Sequence, residues 1–221
     1  MAVILMMGNK ENEEKIEFDM EQLKLSAEFK PSNITVIEGS VIQNILFNLC
    51  IDSIISLDKD VIYIDGYNTF NPYIIQRMIK PLRIEQKKIL SRIHIARAFT
   101  EYQMETLIKR LDSAIREWSA KVLIISYLPI LFYSSNNSPN KNKKRLLESS
   151  IKHLRFITTS SNMITVITSL GHSCSEDKLL ASKADRVIRI ENTKDIIRII
   201  EDERVTEHVH VPSGQMRFSD F

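Results

Sequence analysis

Ile34-Thr35-Val36-Ile37-Glu38-Gly39-Ser40-Val41-Ile42-Gln43-Asn44-Ile45-Leu46-Phe47-Asn48-Leu49 reads as a short apolar strand, a turn with one glycine, and an apolar helix. A nucleotide-binding α/β protein keeps its phosphate loop in a strand–turn–helix unit of this kind. That loop takes the form G-x-x-x-x-G-K-[ST], because clustered backbone N–H groups must cradle phosphate oxygens and a lysine must reach the terminal phosphates. Only Gly39 is in place. No second glycine, lysine, serine or threonine follows at the required offsets, so the layout is that of a phosphate loop without its chemistry.

Outward from this unit, β-like and α-like segments alternate. Val61–Asp65 is a second strand, apolar on both faces as a central parallel strand requires. Helical sequence from Pro72 to Leu90 is interrupted at Pro81, which cannot continue a helix. Ile93–Ala96 is a third strand. Glu101–Ala120 reads as one helix, with Met104, Leu107, Ile108, Leu111, Ile115 and Trp118 on a single stripe. Val122–Ser126, a polar turn at Ser134–Asn140, a helix over Lys143–Ser160 and a strand over Met163–Thr168 continue the rhythm. After Ala184 come four short, hairpin-like strands: Arg186–Ile190, Asp195–Ile200, Val205–Val211 and Gln215–Phe218. The alternation predicts an α/β fold: a mostly parallel sheet with helices on both faces and an antiparallel C-terminal extension. Residues 1–32 stand apart as an N-terminal segment before a core of 33–221. Within them Ala2–Met7 reads as a strand, and Ile16, Phe18 and Met20 alternate like another.

Composition narrows the classes. A chain of 221 residues with 43% hydrophobic and 26% charged residues is an ordinary globular one. Only five glycines argues against a glycine-rich catalytic loop, and a net charge of +2 confines any basic site to a local patch. Ala2–Met7 is too short for the apolar core of a secretory leader and lacks a basic flank. Cys50 and Cys174 share no disulfide-like spacing, which favours reduced thiols and a cytoplasmic location.

The ordered segments resemble the core ATPase domain of the RecA-like recombinases, most closely archaeal RadA and its paralogues. Val61-Ile62-Tyr63-Ile64-Asp65-Gly66-Tyr67-Asn68-Thr69-Phe70-Asn71-Pro72 is similar to the family's Y-I-D-T-E-G-T-F-R-P, and Ile95-Ala96-Arg97-Ala98-Phe99 to V-A-R-A-Y. Ile164–Thr168 takes the place of the strand ending in T-N-Q. His210-Val211-Pro212-Ser213-Gly214-Gln215-Met216-Arg217-Phe218 is similar to H-L-P-E-G-E-A-V-F. The resemblance implies a RecA-like fold over about Asn33 to Phe221.

The catalytic positions depart from it. Aligned on the helix, Ile42 and Gln43 stand at the lysine and threonine positions and the loop is about three residues short; counted ungapped from Gly39, Ile45 and Leu46 stand there instead. Ser126 replaces the magnesium-associated aspartate, Tyr67 the water-activating glutamate, and Ser169-Leu170 the asparagine–glutamine pair that senses the γ-phosphate. Phosphoryl transfer is almost entirely positioning and charge neutralisation. A chain without these groups is expected to be a pseudo-ATPase with no nucleotide cofactor and no metal, unless unconventional residues leave a weak residual NTPase.

The resemblance also implies where DNA would lie. The first DNA loop corresponds to Tyr133–Asn142 and runs into Lys141, Lys143, Lys144 and Arg145, which can contact phosphates in a salt-sensitive way, with Tyr133 adding stacking. The second, Ser169–Asp177, is too short to separate bases. Arg77, Lys80, Arg83, Lys87, Lys88 and Arg92 form another basic stretch, read as a solvated face. His208 with His210, and His172 with Cys174, are too few for a metal centre. The expected partners are single-stranded, non-specifically bound DNA, and a recombinase or other repair protein. The Ala2–Met7 strand pairs either with a partner's sheet edge or with the chain's own sheet. The competing expectation is an interaction module that regulates another ATPase without touching DNA.

Overall fold

In the computed structural model the described residues are 2–6, 15–19, 29–39, 42–134, 140–171, 174–192, 196–201 and 204–209. Strands β1 (Ala2–Met6) and β2 (Lys15–Asp19) pair antiparallel with each other, Ala2 opposite Asp19, as a two-stranded sheet of their own. The strands expected in the N-terminal segment are therefore present, and β1 pairs with β2 and not with the main sheet.

The main sheet has eight strands in the order β10-β9-β8-β3-β7-β6-β4-β5. Its parallel part comprises β3 (Ile34–Glu38), β4 (Val61–Asp65), β5 (Ile93–Arg97), β6 (Val122–Ser126), β7 (Ile164–Ser169) and β8 (Arg186–Asn192). Strands β9 (Ile196–Glu201) and β10 (Arg204–Val209) add the antiparallel extension. In β3, β4, β6 and β7 every residue is buried, which explains their unbroken apolar runs: helices cover both faces.

Helices α1 (Gln43–Ser56), α2 (Pro72–Ile79) and α3 (Gln86–Leu90) lie over one face. There Phe47, Tyr63 and Phe70 pack edge-on within a cluster that also takes Ile75, Ile79 and Ile89. Helices α4 (Glu101–Lys109), α5 (Leu111–Trp118), α6 (Lys141–Ser160) and α7 (Ser175–Ala181) cover the other through Met104, Ile108, Leu147, Ile151 and Leu180. Among the described residues no helix is long and apolar enough to cross a membrane.

Two details differ from the sequence reading. The helix expected over Glu101–Ala120 is two, because Arg110 (ψ −2°) sends its N–H to the carbonyls of both Thr106 and Leu107 and the chain turns there. The apolar stripe continues through the break, so both pieces bury the same side. Helix α6 starts at Lys141, two residues early, because the Asn140 side chain accepts N–H bonds from Asn142 and Lys143. The fourth C-terminal strand, Gln215–Phe218, lies outside the described residues.

Candidate functional site

The C-terminal ends of the parallel strands form the edge at which α/β proteins bind ligands. At the end of β3, Gly39 has φ +148° and donates its N–H to the Ser169 carbonyl at 3.0 Å. A Cβ there would sit 2.6 Å from the Ile190 carbonyl oxygen. Gly39 thus serves a close approach of three strands, which is a packing role. Ile42 is fully buried, and its carbonyl accepts the Leu46 N–H as helix α1 begins. Three residues separate Gly39 from Gln43, the first of α1, and two of them, Ser40 and Val41, lie outside the described residues. Beside the turn, buried Glu38 accepts hydrogen bonds from Arg189 at 3.0 and 3.2 Å. Ile42 and Gln43, expected at the lysine and threonine positions in the helix-aligned register, hold an apolar core contact and a helix start; Ile45 and Leu46, expected there in the ungapped register, are buried in the core under α1.

At the end of β4 stands a residue that sequence reasoning passed over. Asp65 is fully buried, and its carboxylate accepts the N–H groups of Tyr67 (3.3 Å), Thr69 (3.0 Å) and Phe70 (2.9 Å). It also accepts the Ser126 hydroxyl at 3.1 Å and faces Arg97 at 3.4 Å. This is an aspartate turning its own chain, and an Asp closing an apolar strand before Gly-Tyr-Asn-Thr was the available signal. With both oxygens engaged by main-chain and side-chain donors, the carboxylate has little capacity left for a cation.

Ser126 and Tyr67 flank this turn. Ser126 is fully buried opposite Asp65 in the β4–β6 register. Tyr67 is 53% exposed, its ring edge-on to Tyr127 with centroids 5.3 Å apart. Tyr127 is held in a left-handed conformation (φ +51°) by its N–H bond to the Thr168 hydroxyl at 2.8 Å. Burial, with Tyr67 beside it, pushes the Tyr127 phenol up to about 12. Among the described residues no three His, Cys, Asp or Glu side chains converge as a metal site.

The basic segment sits at the start of α6. Lys141, Lys144 and Arg145 are exposed and form no ion pair with a described residue. Lys143 is engaged: its ammonium donates to the Leu131 carbonyl at 3.1 Å and lies 3.7 Å from Glu101. Tyr133 is engaged too. Its hydroxyl donates to the buried Asp177 carboxylate at 2.9 Å, and burial plus that carboxylate pushes the phenol well above its usual value. Cys174 donates to the same carboxylate at 3.2 Å. The structure therefore presents three of the five expected DNA-contacting residues to solvent and uses Lys143 and Tyr133 to anchor the loop. Residues 135–139 of that loop, and His172 of the second, lie outside the described residues, as does His210.

The Rad51 family model matches residues 43–190, from the first residue of α1 into β8. The chain belongs to the Rad51 family. The match begins just past the glycine turn, so β3 and residues 39–42 fall outside it. Rad51-family proteins are RecA-like recombinases of DNA recombination and repair; as a family they bind DNA and partner proteins and oligomerise. The mostly parallel sheet with helices on both faces is the RecA-like core expected from the sequence.

Proposed function

We propose that this chain is a non-catalytic, RadA-like member of the Rad51 family that assists cytoplasmic homologous recombination or repair by binding DNA, a recombinase, or both. The observation that carries the reading is the turn after β3. Three residues join Gly39 to α1, one of them the fully buried Ile42, where a phosphate loop needs a longer arc of free N–H groups and a lysine. Asp65, spent on main-chain N–H groups, and Ser126, spent on Asp65, support it.

DNA contact falls to Lys141, Lys144 and Arg145, whose exposed charges suit the phosphate backbone of single-stranded DNA without sequence preference. The recombinase half rests on β5, which ends the main sheet with Ile95 45% exposed, followed by Phe99 at 64% and Tyr102 at 61%. An open edge with apolar side chains beside it can accept a strand from a partner.

Two titrations test this. Calorimetry with ATP and magnesium should give no binding heat, and clear binding or turnover sinks the pseudo-enzyme reading. DNA binding should be independent of ATP and weaken steeply with salt; no DNA affinity at low salt ends the DNA half. In that case charge reversal at Lys141, Lys144 and Arg145 leaves partner capture intact, and the chain is a protein-interaction module.

A further inference from the structure

The basic stretch between β4 and β5 has no part in the site above. Arg92 drops out of it, engaged by Asp58 at 2.6 Å and Asp60 at 2.7 Å. Arg77 is set aside because it too has an interaction partner, and Lys80, Arg83, Lys87 and Lys88 remain. All four are exposed and none forms an ion pair with a described residue, although Glu85 stands among them. Elsewhere many cations are neutralised locally: Arg97 by Asp65, Lys109 by Glu105, Arg155 by Asp185, Arg189 by Glu38.

Lys80 and Arg83 bound the turn between α2 and α3, and Lys87 and Lys88 lie on α3. A 3-10 turn over Lys80–Leu82 joins α2 to α3, closed by the Arg83 N–H bond to the Lys80 carbonyl at 3.2 Å. Arg83 takes φ +54°, a left-handed position that a glycine would hold without strain. Ile75, Met78, Ile79 and Ile89 fill the inner side and enter the core. Between Tyr73 and Ile95 no large apolar side chain is exposed. The outer side carries cations with the neutral donors Gln86 and Ser91, which with Glu85, Lys87 and Leu90 line a groove of about 460 Å³.

We infer that this α2–α3 face is a second nucleic-acid surface that grips the phosphate backbone. A protein partner would need an apolar or aromatic anchor at the centre of its footprint, and from Lys80 to Ser91 this face offers none; exposed Tyr73 stands at the other end of α2. Phosphates are bound by the groups it does offer, Lys, Arg and Gln or Ser donors. Without an exposed aromatic between Lys80 and Ser91 that stretch reads no bases, so single strands and duplexes are held alike. It lies across the sheet from Lys141–Arg145, because α2 and α3 pack on one face and α6 on the other. The inference shares the nucleic-acid partner of the proposed function and not its site.

The test is fluorescence anisotropy with labelled single-stranded and duplex oligonucleotides between about 50 and 200 mM salt. In K80E/R83E/K87E/K88E the slope of log affinity against log salt should fall by about 2 to 4, with at least about tenfold weaker binding at the lowest salt. The milder K80Q/R83Q/K87Q/K88Q should show the same trend, and both should melt with the parent because all four side chains are exposed. Unchanged affinity and slope in both variants overturn the inference, as does competition by poly-glutamate as effective as by DNA. K141E/K144E/R145E run in parallel separates the two sites: loss of binding in only one variant set condemns the other site alone.

Discussion

At Asp65 a single carboxylate closes a turn that the family uses for chemistry. Removing it strands the N–H groups of Tyr67, Thr69 and buried Phe70, the buried Ser126 hydroxyl and part of the Arg97 charge. Asp65→Ala should therefore cost about 3–5 kcal/mol, measured by urea denaturation. Ser126→Asp makes the converse point. It would restore the family's aspartate in name, yet the Ser126 hydroxyl lies 3.1 Å from the Asp65 carboxylate in a fully buried site. Two carboxylates at that separation cannot both ionise without cost. The variant should melt lower than the parent and gain no affinity for magnesium; a rise in thermal stability with added magnesium would contradict this account. Little of it was legible in the sequence. The departures at Tyr67 and Ser126 show as wrong residue types, but that Asp65 turns to its own main chain depends on Thr69 and Phe70 coming round to meet it.

Elements were more legible than side-chain duties, because strand and helix periods are local while partners are not. The buried strands announce themselves as apolar runs, and α2 ends where proline requires. The break at Arg110 left no mark, since nothing in Lys109-Arg110-Leu111 disfavours a helix and the apolar stripe crosses it unchanged. At α6 the four cations looked equivalent, and folding divided them by what lies within reach of each. K141E/K144E/R145E should accordingly lower the DNA salt slope by up to about 3 with little change in stability. Lys143→Gln should lower the melting temperature through the lost Leu131 bond and Glu101 pair, leaving the slope nearly unchanged. A slope change as large from Lys143→Gln would show that the anchor opens to meet DNA. The β8–β9 pair has a pH signature. The Arg186 hydrogen bond holds Glu201 below its usual value of 4.5 despite burial. Because the folded pKa is depressed, this contribution is present above about pH 4.5 and is lost as pH falls through the folded value. Glu201→Gln should be less stable than the parent at neutral pH, with the difference shrinking in acid.

Over the whole molecule, two cores lie on either side of one sheet, and at its C-terminal edge, where α/β proteins bind ligands, several side chains are taken up by partners within the fold. Glu38 pairs with Arg189, Asp65 with its own turn, and Ile42 with the core under α1. Wrong residue types can be repaired by substitution, whereas a turn of the wrong length cannot. A phosphate cradle needs enough chain to present consecutive N–H groups along an arc. On the non-catalytic reading proposed above, three residues between Gly39 and α1 are too few for that arc, and Gly39 itself lies against Ser169 and Ile190. Combining Ile42→Lys, Tyr67→Glu and Ser126→Asp should therefore give neither turnover nor a thermal shift with magnesium–ATP. The measurement is sensitive, because a ligand present at its own dissociation constant already adds about 0.4 kcal/mol. Stabilisation of the triple variant by magnesium–ATP at about 1 mM would mean that loop length does not bar nucleotide binding in this chain. If stabilisation instead appears only when three residues are also inserted after Gly39, the length of the turn is the deciding element.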